Sequence, residues 1–379
     1  MIRRFCVFAF LVSAAAAQAP PQPRPEIRAV WAHPESLFPS DPEKGKTEVR
    51  RFVDRMADAH FNLILPWVRS EYVAALTDEK YRAAVPVAKW DALGELISAA
   101  HEKGIAVEVW YSFTHYKSPE SPEFNPKHGG DPAWAARRID ELVPDKATGQ
   151  VVPRRMADLC VLHPGARDWE LGLIDKVLDR YPLLAGIHIE EPGYGYGGNC
   201  VCDACRELFK TVHGREPAPE EIDGPRAEDL KCIGTTDFFR RLRERMLKRN
   251  PKLILSVNGG PLWRVDRKLG RDWRRWAEEG WVDDYEGQVY TPSPAGFGKH
   301  VRTLIGDLGP SCPVAIGIGV KWSSGSNTLE TVLKEVDIAR ESGAAGVALF
   351  SGTDLTDEIL AALKAGPFKN PAELRLPVR

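Results

Sequence analysis

The chain has 379 residues, a formal charge of −2, 43% hydrophobic and 27% charged residues, the composition of an ordinary globular protein. The near-neutral balance excludes the basic footprint expected of a nucleic-acid or anionic-membrane binder. Length alone admits two or three domains, but an α/β barrel of this size is routinely one.

In chain order, Arg3-Arg4, an apolar run from Phe5 to Val12 and small residues from Ala14 to Ala17 have the three parts of a secretory signal peptide. Cleavage is expected after Ala17, giving residues 1–17 as the signal. The apolar run is too short to span a bilayer. The expectation is a secreted or periplasmic protein without stable membrane insertion. Residues 18–25 form a proline-rich lead-in, and residues 367–379 a C-terminal tail.

Between 26 and 366, apolar strand-like runs alternate with amphipathic helical runs. The predicted strands are Ile27–His33, Asn62–Val68, Ala106–Phe113, Gly186–Pro192, Leu253–Asn258, Asp284–Tyr290, Val314–Gly319 and Gly346–Ser351. Helical patterns separate them, several stopped by a glycine such as Gly104, Gly280, Gly309 or Gly343. Eight strands, each followed by a helix, predict a single-domain (β/α)8 TIM barrel of the α/β class. Two long loops interrupt it, from about Thr114 to Pro164 after strand 3 and from Gly193 to about Thr236 after strand 4. Both follow strand C-termini, so both belong to the catalytic face.

Barrel chemistry comes from those strand ends. Strand 1 offers Trp31 and His33, strand 2 Trp67 and Arg69, strand 3 Trp110 and His115. Strand 4 offers Glu190 and Glu191, strand 5 Asn258, strand 6 Gln288 and Tyr290, strand 7 Lys321 and Trp322, and strand 8 Ser351 and Asp354. A ring of aromatics, amides and a few ionisable groups suits a sugar, and the chain's eleven tryptophans fit stacking on sugar rings. The predicted partner is a glycan. Hydrolysis of a glycosidic bond needs a proton donor and a second group at the anomeric carbon. Two adjacent carboxylates raise one another's pKa. One of Glu190 and Glu191 should face the pocket while the other braces the rim.

Cys200-x-Cys202-x-x-Cys205 supplies three thiolates where tetrahedral zinc wants four, and Cys160 is the best fourth. An all-thiolate site is closed and structural. Two disulfides at the same cysteines are the alternative. No organic cofactor is expected. His33 and His115 lack the close spacing of a catalytic metal site.

On Glu26-Ile-Arg-Ala-Val-Trp31, Leu159-Cys160-Val-Leu-His-Pro164, Gly186-Ile-His-Ile-Glu190-Glu191 and Asp284-Tyr-Glu-Gly-Gln288-Val-Tyr290, the chain resembles the family 10 glycosyl-hydrolase-like proteins (the domain of unknown function 187 group). The resemblance implies a (β/α)8 barrel acting on glycans, bacterial cell-wall glycan among them. The cysteine cluster is similar to the zinc site of family 42 β-galactosidases. In those enzymes a Glu ending strand 4 is the acid/base, which implies Glu191 for that role and puts Glu190 where an Asn usually stands. Their nucleophilic Glu at the end of strand 7 has no counterpart in Gly317-Ile-Gly-Val-Lys-Trp322. The second catalytic group is therefore Glu286, or Asp354, or the substrate's own N-acetyl group, steadied by Tyr290. The expected function is a secreted glycoside hydrolase acting on a poly- or oligosaccharide, amino-sugar-containing cell-wall glycan being the leading class. A non-catalytic glycan-binding barrel is the alternative.

Overall fold

The computed structural model describes residues 25–69, 72–73, 75, 90–114, 121–144, 148–194, 200–218, 221 and 225–374. The expected signal peptide, nearly all of the lead-in, the end of the tail and His115 lie outside these residues. The strands are β1 Ile27–Ala32, β2 Leu63–Val68, β3 Ala106–Ser112, β4 Ala135–Pro144, β5 Val151–Leu159, β6 Gly186–Glu190, β7 Ile254–Gly259, β8 Asp284–Gln288, β9 Val314–Gly319, β10 Lys321–Trp322, β11 Gly325–Ser326 and β12 Gly346–Phe350. Eight of them close a barrel in the order β1-β12-β9-β8-β7-β6-β3-β2. Every neighbouring pair in it is parallel, and helices fill the connections. This is the (β/α)8 barrel that the strand count predicts.

The helices begin where local chemistry starts them. Asp41, Asp91, Thr328 and Thr356 each accept a backbone N–H of the first turn, satisfying donors that a helix end leaves unpaired. Strand alternation then sorts the core into two layers. Val30, Ile64, Val107, Ile187 and Val257 face the helices, while Ile27, Ala29, Trp31, Leu63 and Leu65 fill the lumen. The segment after the last helix closes the base of the barrel. Phe368 is fully buried, Glu26 N donates to Glu373 O at 2.9 Å, and Arg28 Nη1 donates to Asn370 O at 2.7 Å.

The two long loops carry more structure than the pattern suggests. The first holds the antiparallel β4–β5 hairpin. The second contains helix Asp203–His213 and the start of a long helix that runs from Pro225 to Arg249. Proline suits a first helical turn, and Gly234 within that helix hides its continuity. The glycine is required by packing: a Cβ there would stand 2.3 Å from Val161 O. Gly234→Ala is therefore expected to destabilise the protein by more than about 1 kcal/mol, by overpacking. Chemical denaturation should show this as a lower midpoint at unchanged slope. Among the described residues no helix is long and apolar enough to cross a membrane.

Candidate active site

Alternation along β6 sends His188 and Glu190 into the lumen. The next residue, Glu191, breaks the alternation with φ of 27°. That left-handed backbone costs a non-glycine residue on the order of 1–3 kcal/mol. Asn258, at the end of β7, holds the turn: its Oδ1 accepts from Glu191 N at 2.7 Å, and its Nδ2 donates to Glu190 Oε2 at 2.7 Å. Trp110 Nε1, from the adjacent β3, donates to the same Glu190 oxygen. Both carboxylates are thus kept at the barrel mouth, 5% and 8% exposed.

Their environments differ. Burial pushes the Glu190 carboxyl up to about 8, with the nearby charge of Glu191 adding to the effect and the bonds from Asn258 and Trp110 opposing it. Glu190 therefore holds a proton at neutral pH. Glu191 Oε2 lies 3.2 Å from Arg271 Nη2. Arg271 is itself fixed, donating from Nε to Pro192 O at 3.0 Å and meeting Asp266 Oδ1 at 3.4 Å. Asp266 is the anchor, accepting from Gly260 N and Trp273 Nε1. Tyr290 stacks on Phe350 with ring centroids 5.4 Å apart. Its hydroxyl is buried with no hydrogen-bond partner among the described residues. Burial raises its pKa, with the charges of Glu190 and Glu191 contributing, so it is a neutral donor near the pair.

The aromatic ring predicted from the strand ends is present. His33 packs edge-on against Trp67 and Trp110 at 5.6 and 5.1 Å, and its pKa is lowered by burial. Trp322 lies 6.1 Å from Tyr290, and Gln288 is half-buried. Arg69 pairs with Glu35 at 2.9 Å and lies over the Trp67 ring. Beside Trp67 a cavity of about 480 Å3 opens, lined by Arg69, Tyr72, Trp90 and Phe38 among others. Asp354 accepts from Ser351 Oγ at 3.0 Å.

Two residues sit deeper than their place at the strand ends suggests. Trp31 is fully buried and forms part of the floor, its indole N–H donating to His188 Nε2 at 3.2 Å. Glu286, offered above as a second carboxylate, is also fully buried. It lies in a lumen layer beneath the pair, 3.4 Å from His188 Nδ1. In the same layer His188 Nδ1 is 2.8 Å from Ser256 Oγ, which donates to Glu108 Oε2. Burial depresses His188 to about 3 and lifts Glu286 to about 8, the charge of Glu108 adding to the rise and a bond with Asp284 opposing it. The close His188–Glu286 approach is therefore between neutral groups, not an ion pair.

That layer sets a pH dependence. The folded state holds the Glu286 proton more tightly than an unfolded chain does, whose carboxyl titrates near its ordinary value of 4.5. The contribution is complete below about 4.5 and is lost as pH rises towards about 8. Thermal midpoints should fall across this window, and Glu286→Gln should flatten the fall by a few kcal/mol at most. An unchanged pH profile in the variant would refute the assignment.

The sequence pattern offered no signal for Arg271 or Asp266, which lie among two six-residue helices, Trp263–Lys268 and Trp273–Glu278. Tyr194 was also passed over, and it lies close to the cysteines. Cys160, Cys200, Cys202 and Cys205 are buried, and their sulfurs lie within 4.8 Å of one another. Cys160 Sγ is 3.5 Å from Cys205 Sγ and 3.4 Å from Cys202 Sγ. Such a set can hold a metal ion or oxidise. Cys232 and Cys312 are free and buried.

The profile of the glycosyl hydrolase-like 10 family matches residues 26–306. No curated protein sequence matches the chain. Among solved structures, the PgaB (BpsB) glycoside hydrolase domain from Bordetella bronchiseptica is similar with a TM-score of 0.66 at 14% identity, covering 93% of this chain and 100% of that one. Alpha-L-fucosidase isoenzyme 2 from Paenibacillus thiaminolyticus has a TM-score of 0.60 at 17% identity, covering 91% of this chain and 49% of that one. The spore cortex-lytic enzyme SleL from Bacillus megaterium has a TM-score of 0.52 at 10% identity, covering 97% and 81%. At these identities the likeness is one of fold.

Proposed function

Since the chain belongs to the glycosyl hydrolase-like 10 family, we propose that it is a glycoside hydrolase whose acid/base machinery is the Glu190–Glu191 pair. The observation that carries this reading is the split environment of two adjacent carboxyls at a barrel mouth. Glu190 is buried and carries a proton at neutral pH, while Glu191 is ion-paired to Arg271. A protonated carboxyl beside one held by a guanidinium assigns the first as the acid. The resemblance to family 42 gives proton transfer to Glu191; the burial of Glu190 favours Glu190 instead, and we adopt that assignment.

Among the described residues the end of β9 bears no carboxylate, Val314–Gly319 being followed by Val320, Lys321 and Trp322. The reading that fits is substrate-assisted cleavage of an N-acetylated amino sugar. Glu190 gives its proton to the leaving glycosidic oxygen. The acetamido oxygen attacks the anomeric carbon, forming a cyclic intermediate. Glu191 takes the charge-stabilising role, and the unpaired Tyr290 hydroxyl hydrogen-bonds the acetamido group. Water then opens the intermediate, losing a proton to Glu190. Such enzymes stand outside the usual two-carboxylate scheme. The aromatic wall of Trp67, Trp110 and Trp322 supplies sugar-stacking surfaces. The N-terminal pattern supports action outside the cytoplasm, on cell-wall or other extracellular glycan.

The same reading includes a structural zinc at Cys160, Cys200, Cys202 and Cys205. A tetrahedral site with Zn–S of about 2.3 Å places its sulfurs about 3.8 Å apart, close to the 3.4–3.7 Å separations of Cys160, Cys202 and Cys205. A disulfide would need about 2.05 Å. Backbone N–H groups of Arg137 and Cys202 point at Cys200 Sγ from 3.2 and 3.5 Å, as expected around a thiolate. A closed four-thiolate set leaves no open position, so the ion would fasten the rim and take no part in bond cleavage.

Digestion of a panel of N-acetylated and plain oligosaccharides by the purified protein tests the function. New reducing ends from the N-acetylated members are expected. Saturable binding without cleavage of any member would replace the hydrolase with a glycan-binding barrel, the reading that the carboxylate-free β9 end favours.

A further inference from the structure

We propose that Tyr194 couples the cysteine centre to the carboxylate pair, so that metal occupancy sets the geometry of the Glu190–Glu191 turn; this rests on reading the four cysteines as a metal site. Tyr194 is 2% exposed. Its hydroxyl lies 3.3 Å from Cys160 Sγ and 3.8 Å from Cys205 Sγ. A buried phenol needs an acceptor, and a metal-bound thiolate accepts a stronger, charge-assisted bond than a neutral thiol does.

Two residues, Pro192 and Gly193, separate Tyr194 from Glu191, and each step of the strap is pinned. Arg271, the partner of Glu191, also holds Pro192 O. Gly193 N donates to Thr114 Oγ1 at 3.1 Å. Gly193 has φ of 117°, and a Cβ there would stand 2.1 Å from Leu269 O, so this passage admits only glycine. Tyr194 N donates to Leu269 O at 2.8 Å. The Lys231 ammonium lies 5.6 Å from the centre of the Tyr194 ring. A strap held this closely has no slack to absorb a shift of the hydroxyl. Displacement of Tyr194 from the sulfurs is passed to the peptide that positions Glu191, and through Asn258 to Glu190. Tyr194 is a positioning residue: it touches neither the reacting bond nor the metal.

Amide hydrogen exchange of the full-length protein tests this without a substrate. The amides of Glu191, Gly193 and Tyr194, each with a named acceptor above, are followed in zinc-loaded protein, chelator-stripped protein and zinc-loaded Tyr194→Phe. Zinc affinity is measured separately by competition with a chromophoric chelator. Stripping zinc from wild type should speed exchange across residues 186–194 about tenfold or more. Tyr194→Phe should bind zinc about 10–100-fold more weakly, the usual effect of losing an outer partner of a metal ligand, and should exchange fast even when loaded. Equal exchange in loaded and stripped wild type would overturn the coupling. So would wild-type zinc affinity and exchange in Tyr194→Phe. If that variant does not fold, the wild-type comparison decides alone. A wild-type protein that takes up no zinc in the titration overturns the metal reading itself, and the coupling with it.

Discussion

Glu190→Gln should cut turnover of whichever glycan the wild type cleaves by about 10²–10⁴, the usual contribution of a positioned general acid. The amide keeps the shape and accepts the same bonds from Asn258 and Trp110, so thermal stability and glycan binding should survive. The wild-type rate should fall as pH rises through about 8, where Glu190 loses its proton, because a general acid works only in its protonated form. Glu191→Gln should also be slow, but it breaks the shorter of the two ion pairs of the buried Arg271 guanidinium, leaving that with Asp266, and so should lower stability as well. Kinetics and unfolding of the two variants separate the roles. If Glu190→Gln retained wild-type turnover while Glu191→Gln lost it, the proton donor would be Glu191, as the likeness to family 42 implies. If both kept activity, the pair would not be the catalytic site.

Chelation should lower the thermal midpoint by about 5 °C. A ligand present at 1,000 times its dissociation constant stabilises the state that binds it by about 4 kcal/mol, and at an unfolding entropy of about 2 cal/mol/K per residue 1 kcal/mol is worth roughly 1–2 °C in a barrel of this size. The four sulfurs come from two regions distant in sequence: Cys160 follows β5, and the other three begin the helix Asp203–His213. Loss of the proposed ion would free both loops at once. Cys202→Ser should reproduce the effect and make the protein indifferent to chelator. An unshifted midpoint, together with no thiol label on Cys160, Cys200, Cys202 or Cys205 after unfolding, would show that these four cysteines are bridged, Cys232 and Cys312 being the free thiols that still react.

The barrel was legible because its signal is repetitive. Eight apolar runs alternate with helical patterns, and the alternation His188-Ile189-Glu190 already places two polar side chains on one face. Cys160 was found as a companion of the later cysteines because four thiols at such spacings have few other uses. The lumen layer was not legible. Glu108, Ser256, Asp284 and Glu286 come from three strands; Glu286 reads as a second catalytic carboxylate and the other three as ordinary polar residues, and only closure of the barrel brings all four under Glu190. Arg271 was hidden for a different reason, since it lies between short helices with no periodicity to mark its direction. The difference between the surroundings of the two carboxyls was beyond the pattern too. It depends on Asn258 and Trp110 on one side and Arg271 on the other, contacts that strand spacing does not encode.

The base of the barrel bears on the order of assembly. β1 pairs with β12, and Glu26 bonds Glu373, so the ring's clasp joins the two ends of the described chain. Local βα units can form early, but the circle cannot shut until β12, Gly346–Phe350, is available, and contacts of such long sequence separation slow folding. Until then both flanking strands expose unpaired edges. Ring closure therefore waits on the last strand, however early the other units form.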